Sequence, residues 1–383
     1  MAVGAVLFHH GWPAVAPAGY MGVDVFFVVS GFLITGLLMR DAERRGSISL
    51  RDSYMRRARR ILPAALVALL AISALTLALV PQWQWADWFR EIVASTLYYE
   101  NWQLAIDSQT PKRADLESTP VQHFWSLSVE EQFYLFWPLL MILGLWIATR
   151  RGARPARFVL AVLAAVTVLS FVHSLILTAQ DVNLAYFSTF SRTWEFGVGG
   201  ILAIVASRPW TGRDGLRAAV SWIGLALIIV PIVSFRVPDV FPGLVVLMPV
   251  VGTMAVIWAG MPVTAWSTAR IAGLRPVQWV GDVSYSLYLW HWPIFMFAPY
   301  VTGVPSPPWL MAVLVVISLT VAGLSKRWIE DPFRHGTHGI RVRSAVLLGS
   351  LAATIAVIVT AGIVAPGVAS ANAVEQSQGS ERD

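Results

Sequence analysis

Ionisable side chains inside apolar stretches are costly to bury, so each one in this 383-residue chain is a candidate for chemistry. His9 and His10 end the apolar opening of MAVGAVLFHHGWPAV, and Asp24 lies soon after in GVDVFFVVSGFLIT. A short loop joins the two segments. A carboxylate beside His9 would fix the imidazole tautomer and raise its basicity, which suits a general base. The bland alternative is a pair of interfacial histidines and an Asp that caps a helix, and His10 fits that description better than His9 does. SYMRRARRILPAAL carries Arg56, Arg57, Arg59 and Arg60 within about one helical turn. Guanidinium forks grip phosphates bidentately, so four of them at a membrane mouth would suit a nucleotide phosphate. A topology anchor would have the same composition.

Two further groups lie deeper in the chain. HFWSLSVEEQFYLFWP contains Glu130 and Glu131, adjacent carboxylates of which at most one can face a central cavity, where it would hold a substrate hydroxyl or pair with an arginine. The candidate partner is Arg192 in FSTFSRTWEFGVGGILA, with Glu195 three residues on and therefore on the same helical face. A structural pair and a catalytic one fit this spacing equally. GDVSYSLYLWHWPIF supplies Tyr285, Tyr288, Trp290 and His291, which suit an interfacial aromatic belt or a substrate-binding wall that stacks on sugar rings. Its GDVS start resembles the nucleophile block of serine esterases, but it opens an apolar helix without a neighbouring strand, which argues against a nucleophile.

The elements that must position these groups follow from composition. Hydrophobic residues make up 56% of the chain and charged ones 13%, and the mean hydropathy is +0.63, values of an integral membrane protein. The fold class is all-α and polytopic. Apolar runs predict transmembrane helices near 1–10, 22–39, 61–80, 125–148, 157–178, 190–207, 218–234, 243–260, 280–300, 309–325 and 344–365, about eleven in all. The stretch 83–104 carries Asp87, Arg90, Glu91 and Glu100, each costing about 2.5–3.5 kcal/mol at a bilayer centre, and reads as an interfacial or re-entrant helix. Keeping it on one side places the arginine-rich loops on the other: Arg40 to Arg60, Arg150 to Arg157, Arg208 to Arg217, Arg270 and Arg275, and Lys326 to Arg343. The positive-inside rule then puts those loops in the cytoplasm and the C-terminus outside, in a cell membrane. The net charge of +6 is thereby a matter of topology, and no nucleic-acid partner is expected. The chain has no cysteine, which excludes disulfides, thiolate metal sites and a cysteine acyl-enzyme. There is no signal-peptide pattern, and no internal repeat of the transporter type.

Taken together, FHHGWP, GYMGVDVFFVVSGFLITGLL, YMRRARRILPAAL, FWSLSVEEQFYLFWP, SRTWEFGVGG, VGDVSYSLYLWHWPIF and KRWIEDPFR resemble, in order over residues 1–335, the acyltransferase-3 family of membrane acyltransferases, which includes envelope O-acetyltransferases. The resemblance implies acyl transfer from cytoplasmic acyl-CoA, with acetyl as the expected group and no metal, to a hydroxyl of an envelope glycan or glycolipid. The family's histidine falls on His9, its RxxR on Arg57 and Arg60, and its membrane glutamate on Glu130 or Glu131. Family members carry an upstream arginine on a GLR-type segment, which this chain starts too late to include, and the larger branch continues into an SGNH hydrolase-like domain absent here.

The expected organisation is a membrane acyltransferase domain at 1–343, an additional helix at 344–365 and a disordered extracytoplasmic linker at 366–383. His9, oriented by Asp24, would deprotonate the acceptor or briefly carry the acyl group, with donor phosphates on Arg57 and Arg60 flanked by Arg56 and Arg59. A transporter or flippase of an envelope sugar or lipid, and an inactive truncated relative, are the alternatives.

Overall fold

A computed structural model describes residues 1–110, 113, 118–152, 155–206, 210, 212–236, 240–304, 306–335 and 344–380. The loop residues Arg154, Arg208, Arg341 and Arg343 and the last three residues of the chain lie outside them. The described secondary structure is helical. In chain order it comprises α1 (Ala2–Gly11), α2 (Gly22–Arg45), α3 (Leu50–Leu79), α4 (Trp85–Thr96), α5 (Glu100–Ser108), α6 (Phe124–Arg150), α7 (Pro155–Gln180) and α8 (Val182–Phe187). It continues with α9 (Thr189–Val205), α10 (Asp214–Ser234), α11 (Leu247–Ala259), α12 (Thr268–Ala272), α13 (Arg275–Thr302), α14 (Pro308–Ser325), α15 (Asp331–His335) and α16 (Ser344–Ser380).

Helices occupy all of the segments whose apolarity predicts a span. Among the described residues, seven are long and apolar enough to cross a membrane: Gly19–Arg45, Leu50–Leu79, Phe124–Arg150, Ala156–Gln180, Asp214–Ser234, Pro308–Arg334 and Ala345–Asn372. The other expected spans fall short for separate reasons. Helix α1 has 10 residues, a rise of about 15 Å, and α9 has 17. The 244–259 helix is also short. Helix α13 has 28 residues, but Asp282, Ser284, Tyr285, Ser286, Tyr288 and His291 interrupt its apolar run. The 83–104 stretch is broken into α4 and α5 by a turn in which Tyr98 takes φ +57°, so neither piece is long enough to span.

The chain divides into two compact units. The first contains Met1–Ser53, Ala105–Pro111 and Val129–Asp282. Its centre is the crossing of α2 on α9, with α7 against the other side of α9 and α10 against α11. Small residues make that crossing close: a Cβ on Gly31 would collide with the Phe196 carbonyl, and one on Gly199 with the Val28 carbonyl. Backbones that approach this closely exchange side-chain bulk for dispersion contact along their whole length. Phe196 then stacks between Phe27 and Phe133, with both ring centroids 4.3 Å away. The Trp137 indole donates to Thr35 Oγ1 at 2.7 Å and ties α6 to α2.

The second unit contains Tyr54–Leu104, Lys112–Ser128 and Val283–Asp383. Here α16 packs on α4, with Gly362 against Phe89 and Val93. The helix continues through Pro366 to Ser380, over the stretch where composition predicts a disordered linker. The run is rich in alanine and valine. The Asn372 amide donates to Gln82 at 3.2 Å. In the same unit, α14 passes into a π-helical turn, Lys326–Glu330, before α15.

Candidate active site

Helix α1 ends at Gly11, and the chain turns back through Trp12–Ala18 into a short 3-10 turn, Gly19–Met21, that leads into α2. A Cβ on Gly19 would lie 2.6 Å from the His9 Cβ, so glycine is what lets this turn pass under the histidine. His9 Nδ1 sits 2.9 Å from the Ala16 carbonyl oxygen. A carbonyl only accepts, so in the neutral ring Nδ1 carries the proton and Nε2 carries the lone pair. The imidazole is half-buried, edge-on to Tyr20 at 5.2 Å and 5.6 Å from the His10 ring.

Asp24 does not supply that orientation. Its carboxylate, fully buried one turn beyond Tyr20, forms a short ion pair with Arg192 of α9. The expected Asp24–His9 pair is therefore corrected to a backbone carbonyl on His9 and a guanidinium on Asp24. The physical reason is the close α2–α9 crossing, which brings a full cation to the buried carboxylate and satisfies it better than a neutral imidazole would. Glu195 lies on the same face of α9 as Arg192, with 3.2 Å between its oxygen and the guanidinium. None of the three is exposed to solvent. The Arg192 guanidinium lies 5.4 Å from the Phe241 ring centroid, 5.7 Å from that of Phe27 and 6.0 Å from that of Tyr186, an aromatic cage that adds cation–π attraction in place of water. One guanidinium thus faces two carboxyl groups, a trio that is neutral only when one carboxyl holds a proton. Phe241 also meets the Tyr20 ring at 4.8 Å, so a continuous aromatic path runs from His9 to the cage.

Glu130 takes different partners from those its sequence suggests. It accepts hydrogen bonds from Ser30 Oγ of α2 and from Tyr134 OH at 2.6 Å, and Arg192 is already engaged by Asp24. Glu131, next to it on α6, is half-buried and points elsewhere, as adjacent helical residues must. His9, Asp24, Glu130, Glu131, Arg192 and Glu195 all belong to the first unit.

The second unit holds the remaining candidates. Arg56 and Arg60 are exposed on α3, and Arg57 and Arg59 are half-buried. Pro63, inside that helix, has no N–H, which removes the usual helical donor from the Arg59 carbonyl. Tyr285 OH donates to the Ile61 carbonyl at 2.8 Å, so it fastens α13 to the arginine-bearing helix rather than facing a sugar. Tyr288 is buried as well. Its hydroxyl lies 2.6 Å from Ser126 Oγ and donates to the His123 carbonyl at 3.0 Å. His291 is fully buried, and its Nδ1 lies 2.9 Å from the Tyr288 carbonyl within its own helix. Trp290 lines an apolar cavity of about 360 Å³ with Ile72, Leu75, Phe297 and Leu314. Tyr285, Tyr288 and His291 thus make helix-fastening contacts, and the apolar wall beside Trp290 offers a sugar's hydroxyl groups no partners.

Some groups at these sites escaped sequence reasoning. Tyr20, Phe241 and the Ala16 carbonyl surround His9 and Arg192, and the only advance sign was Tyr20 within GYMGVDVFF. His123, 5.6 Å from His291 ring to ring, opens the HFWSL block. In α5, burial and the neighbouring Glu91 carboxylate hold the Glu100 carboxyl well above the ordinary carboxylate range, while Glu91 accepts from Thr119 Oγ1.

Comparison with known proteins places these features in a family. The acyltransferase-3 family model, described as an acyltransferase domain, matches residues 1–327. "Peptidoglycan O-acetyltransferase OatA" of Listeria monocytogenes is 29% identical over 346 residues, covering 87% of this chain and 54% of its own length. "Putative peptidoglycan O-acetyltransferase YrhL" of Bacillus subtilis is 27% identical over 337 residues, 85% of this chain and 52% of its own. The chain thus spans about half the length of these curated relatives. No solved structure matches the chain significantly. With a match that runs from the first residue to residue 327, at the start of the π-helical turn, this protein belongs to the acyltransferase-3 family.

Proposed function

We propose that this protein is a membrane O-acyltransferase that moves an acyl group, acetyl first among them, from cytoplasmic acyl-CoA to a hydroxyl of an envelope glycan, with His9 as general base. The observation that carries this reading is the Nδ1 contact of His9 with the Ala16 carbonyl, which leaves Nε2 as the basic atom. In the proposed step, Nε2 takes the proton of the acceptor hydroxyl as its oxygen attacks the thioester carbonyl. A C–O bond forms, the C–S bond breaks, and the imidazolium returns the proton to the departing thiolate. Asp24, Arg192 and Glu195 act behind the histidine, fixing α2 on α9 and with it the turn that presents His9. Tyr134 and Ser30 hold Glu130 as an acceptor for a substrate hydroxyl.

The donor phosphates are assigned to Arg57 and Arg60, with Arg56 and Arg59 beside them, on the side of the membrane that the arginine-rich loops place in the cytoplasm. Both relatives carry names that specify peptidoglycan, which supports an envelope polysaccharide as the acceptor. The test uses purified protein in nanodiscs with acetyl-labelled acetyl-CoA and separate peptidoglycan-fragment and glycolipid acceptors. Label is expected on a glycan hydroxyl as an alkali-labile ester. Absence of CoA release with every acceptor would overturn the assignment.

A further inference from the structure

The KRWIEDPFR block is a stretch of the sequence pattern to which the proposed reaction gives no task. In the structure it is a π-helical turn, Lys326–Glu330, followed by α15. Such turns change which way successive side chains project, and they recur at functional sites. Here the turn sends Glu330 inward, where it is 2% exposed and accepts a hydrogen bond from Ser286 Oγ of α13 at 3.2 Å. The residue before Ser286 is Tyr285, which binds the Ile61 carbonyl on α3, next to Arg60. Two consecutive residues of α13 thus hold the arginine-bearing end of α3 and the buried carboxylate of the π turn against the same turn of one helix.

The charges around that place are unbalanced. Arg60, Lys326 and Arg334 all lie close enough to act on the Glu330 charge. Lys326 is committed to Asp331 at 2.9 Å. Arg334 stands one turn beyond Glu330, with 3.7 Å between guanidinium and carboxylate, and its side chain is 38% exposed. Arg60 is exposed, and no ion pair engages it among the described residues. One buried carboxylate therefore pairs with Arg334 and acts on Arg60 only at longer range, and both guanidinium groups reach solvent. This is how a carboxylate holds arginines for an incoming phosphate: it fixes their direction without neutralising them both.

We propose that Glu330 is a positioning residue that holds Arg334 beside Arg60, and that Arg334 is a further binding residue for a phosphate of the CoA donor. The inference rests on the reading of acyl-CoA as donor. A phospholipid headgroup presents the same phosphate chemistry, and the test separates the two.

The experiment measures CoA binding by calorimetry on the full chain in nanodiscs of neutral phosphatidylcholine, and the same variants in nanodiscs containing phosphatidylglycerol. Arg334→Ala, on an exposed side chain, is expected to fold normally and to bind CoA roughly tenfold to a hundredfold more weakly in the neutral discs. Glu330→Gln is expected to raise KM for acetyl-CoA roughly tenfold with a much smaller change in kcat, whereas a merely structural loss would lower kcat and thermal stability together. Arg334→Lys should recover part of the affinity. If wild-type protein fails to bind CoA in both kinds of disc, the donor assignment itself is wrong, whatever Glu330 does. If wild type binds and Arg334→Ala binds equally well in neutral discs, the positioning proposal is overturned. It is overturned also if the variant's only defect is loss of co-purifying phosphatidylglycerol, which would make the site one for headgroups.

Discussion

Replacing Arg192 with methionine tests the packing that presents His9. The guanidinium is fully buried between Asp24 and Glu195, and both carboxyl groups are themselves unexposed. Methionine fills much of the volume but leaves two buried carboxyl groups without a cation, a loss of about 3–5 kcal/mol in comparable buried pairs. The first unit contains about 200 residues. At about 2–4 °C per kcal/mol for that size, the melting temperature should fall by roughly 6–20 °C. Tryptophan fluorescence during heating of nanodisc-embedded protein reads this directly. Asp24→Asn should cost less, because Glu195 still pairs with the guanidinium at 3.2 Å. The double variant Asp24→Asn/Arg192→Met should be less damaged than the sum of its parts, since Asp24→Asn removes a carboxylate that Arg192→Met had stranded. Melting of Arg192→Met within about 2 °C of wild type, or strict additivity in the double variant, would refute the reasoning.

Three other outcomes follow from particular contacts. Gly31→Val drives a side chain into the Phe196 carbonyl and should cost about 1–3 kcal/mol or prevent folding, read as a lower melting temperature and a smaller yield of monodisperse protein. Tyr288→Phe removes the hydroxyl that contacts Ser126 and the His123 carbonyl and should cost about 1–3 kcal/mol of stability while acetyl transfer at saturating substrate persists; loss of transfer without loss of stability would return Tyr288 to the substrate site. Glu100 has a folded-state pKa above its value of about 4.3 in an unfolded chain, so its contribution to stability is full below about pH 4 and is lost as pH rises toward the folded value. Glu100→Gln should therefore melt higher than wild type at pH 8 and lose that advantage near pH 4–5, which melting curves at the two pH values would check.

The sequence makes the helices legible because the cost of exposing backbone to hydrocarbon turns each span into a long apolar run, a property of one segment alone. The same one-dimensional signal explains why 83–104 reads as a non-spanning piece: its charges forbid a span wherever the rest of the chain lies. Pairings are a different matter. Asp24 meets Arg192, 168 residues away, because Gly31 and Gly199 let two backbones touch, and nothing local to Asp24 distinguishes that partner from His9 or separates Arg192 from Glu130. The spacing of Arg192 and Glu195 did carry over, since three residues on one helix fix a face whatever surrounds it. Tyr285, Tyr288, Trp290 and His291 look in sequence like a sugar-binding wall. Aromatic side chains with polar tips serve equally to fasten helices in a low-dielectric interior, and only the packing reveals which use prevails. The tail after Pro366 misleads for the opposite reason: its polarity suggests disorder, while its alanines favour helix and the Asn372 amide ties it to Gln82.

The central claim is that His9 Nε2 removes the acceptor proton. The measurement that meets it most directly is the rate of acetyl transfer from acetyl-CoA by a His9→Gln variant whose melting temperature and CoA affinity match those of wild type. Glutamine can still place an amide N–H toward the Ala16 carbonyl but offers no base, so transfer should fall by about 10²–10⁴-fold. Transfer within about threefold of wild type, with folding and donor binding intact, would contradict the account.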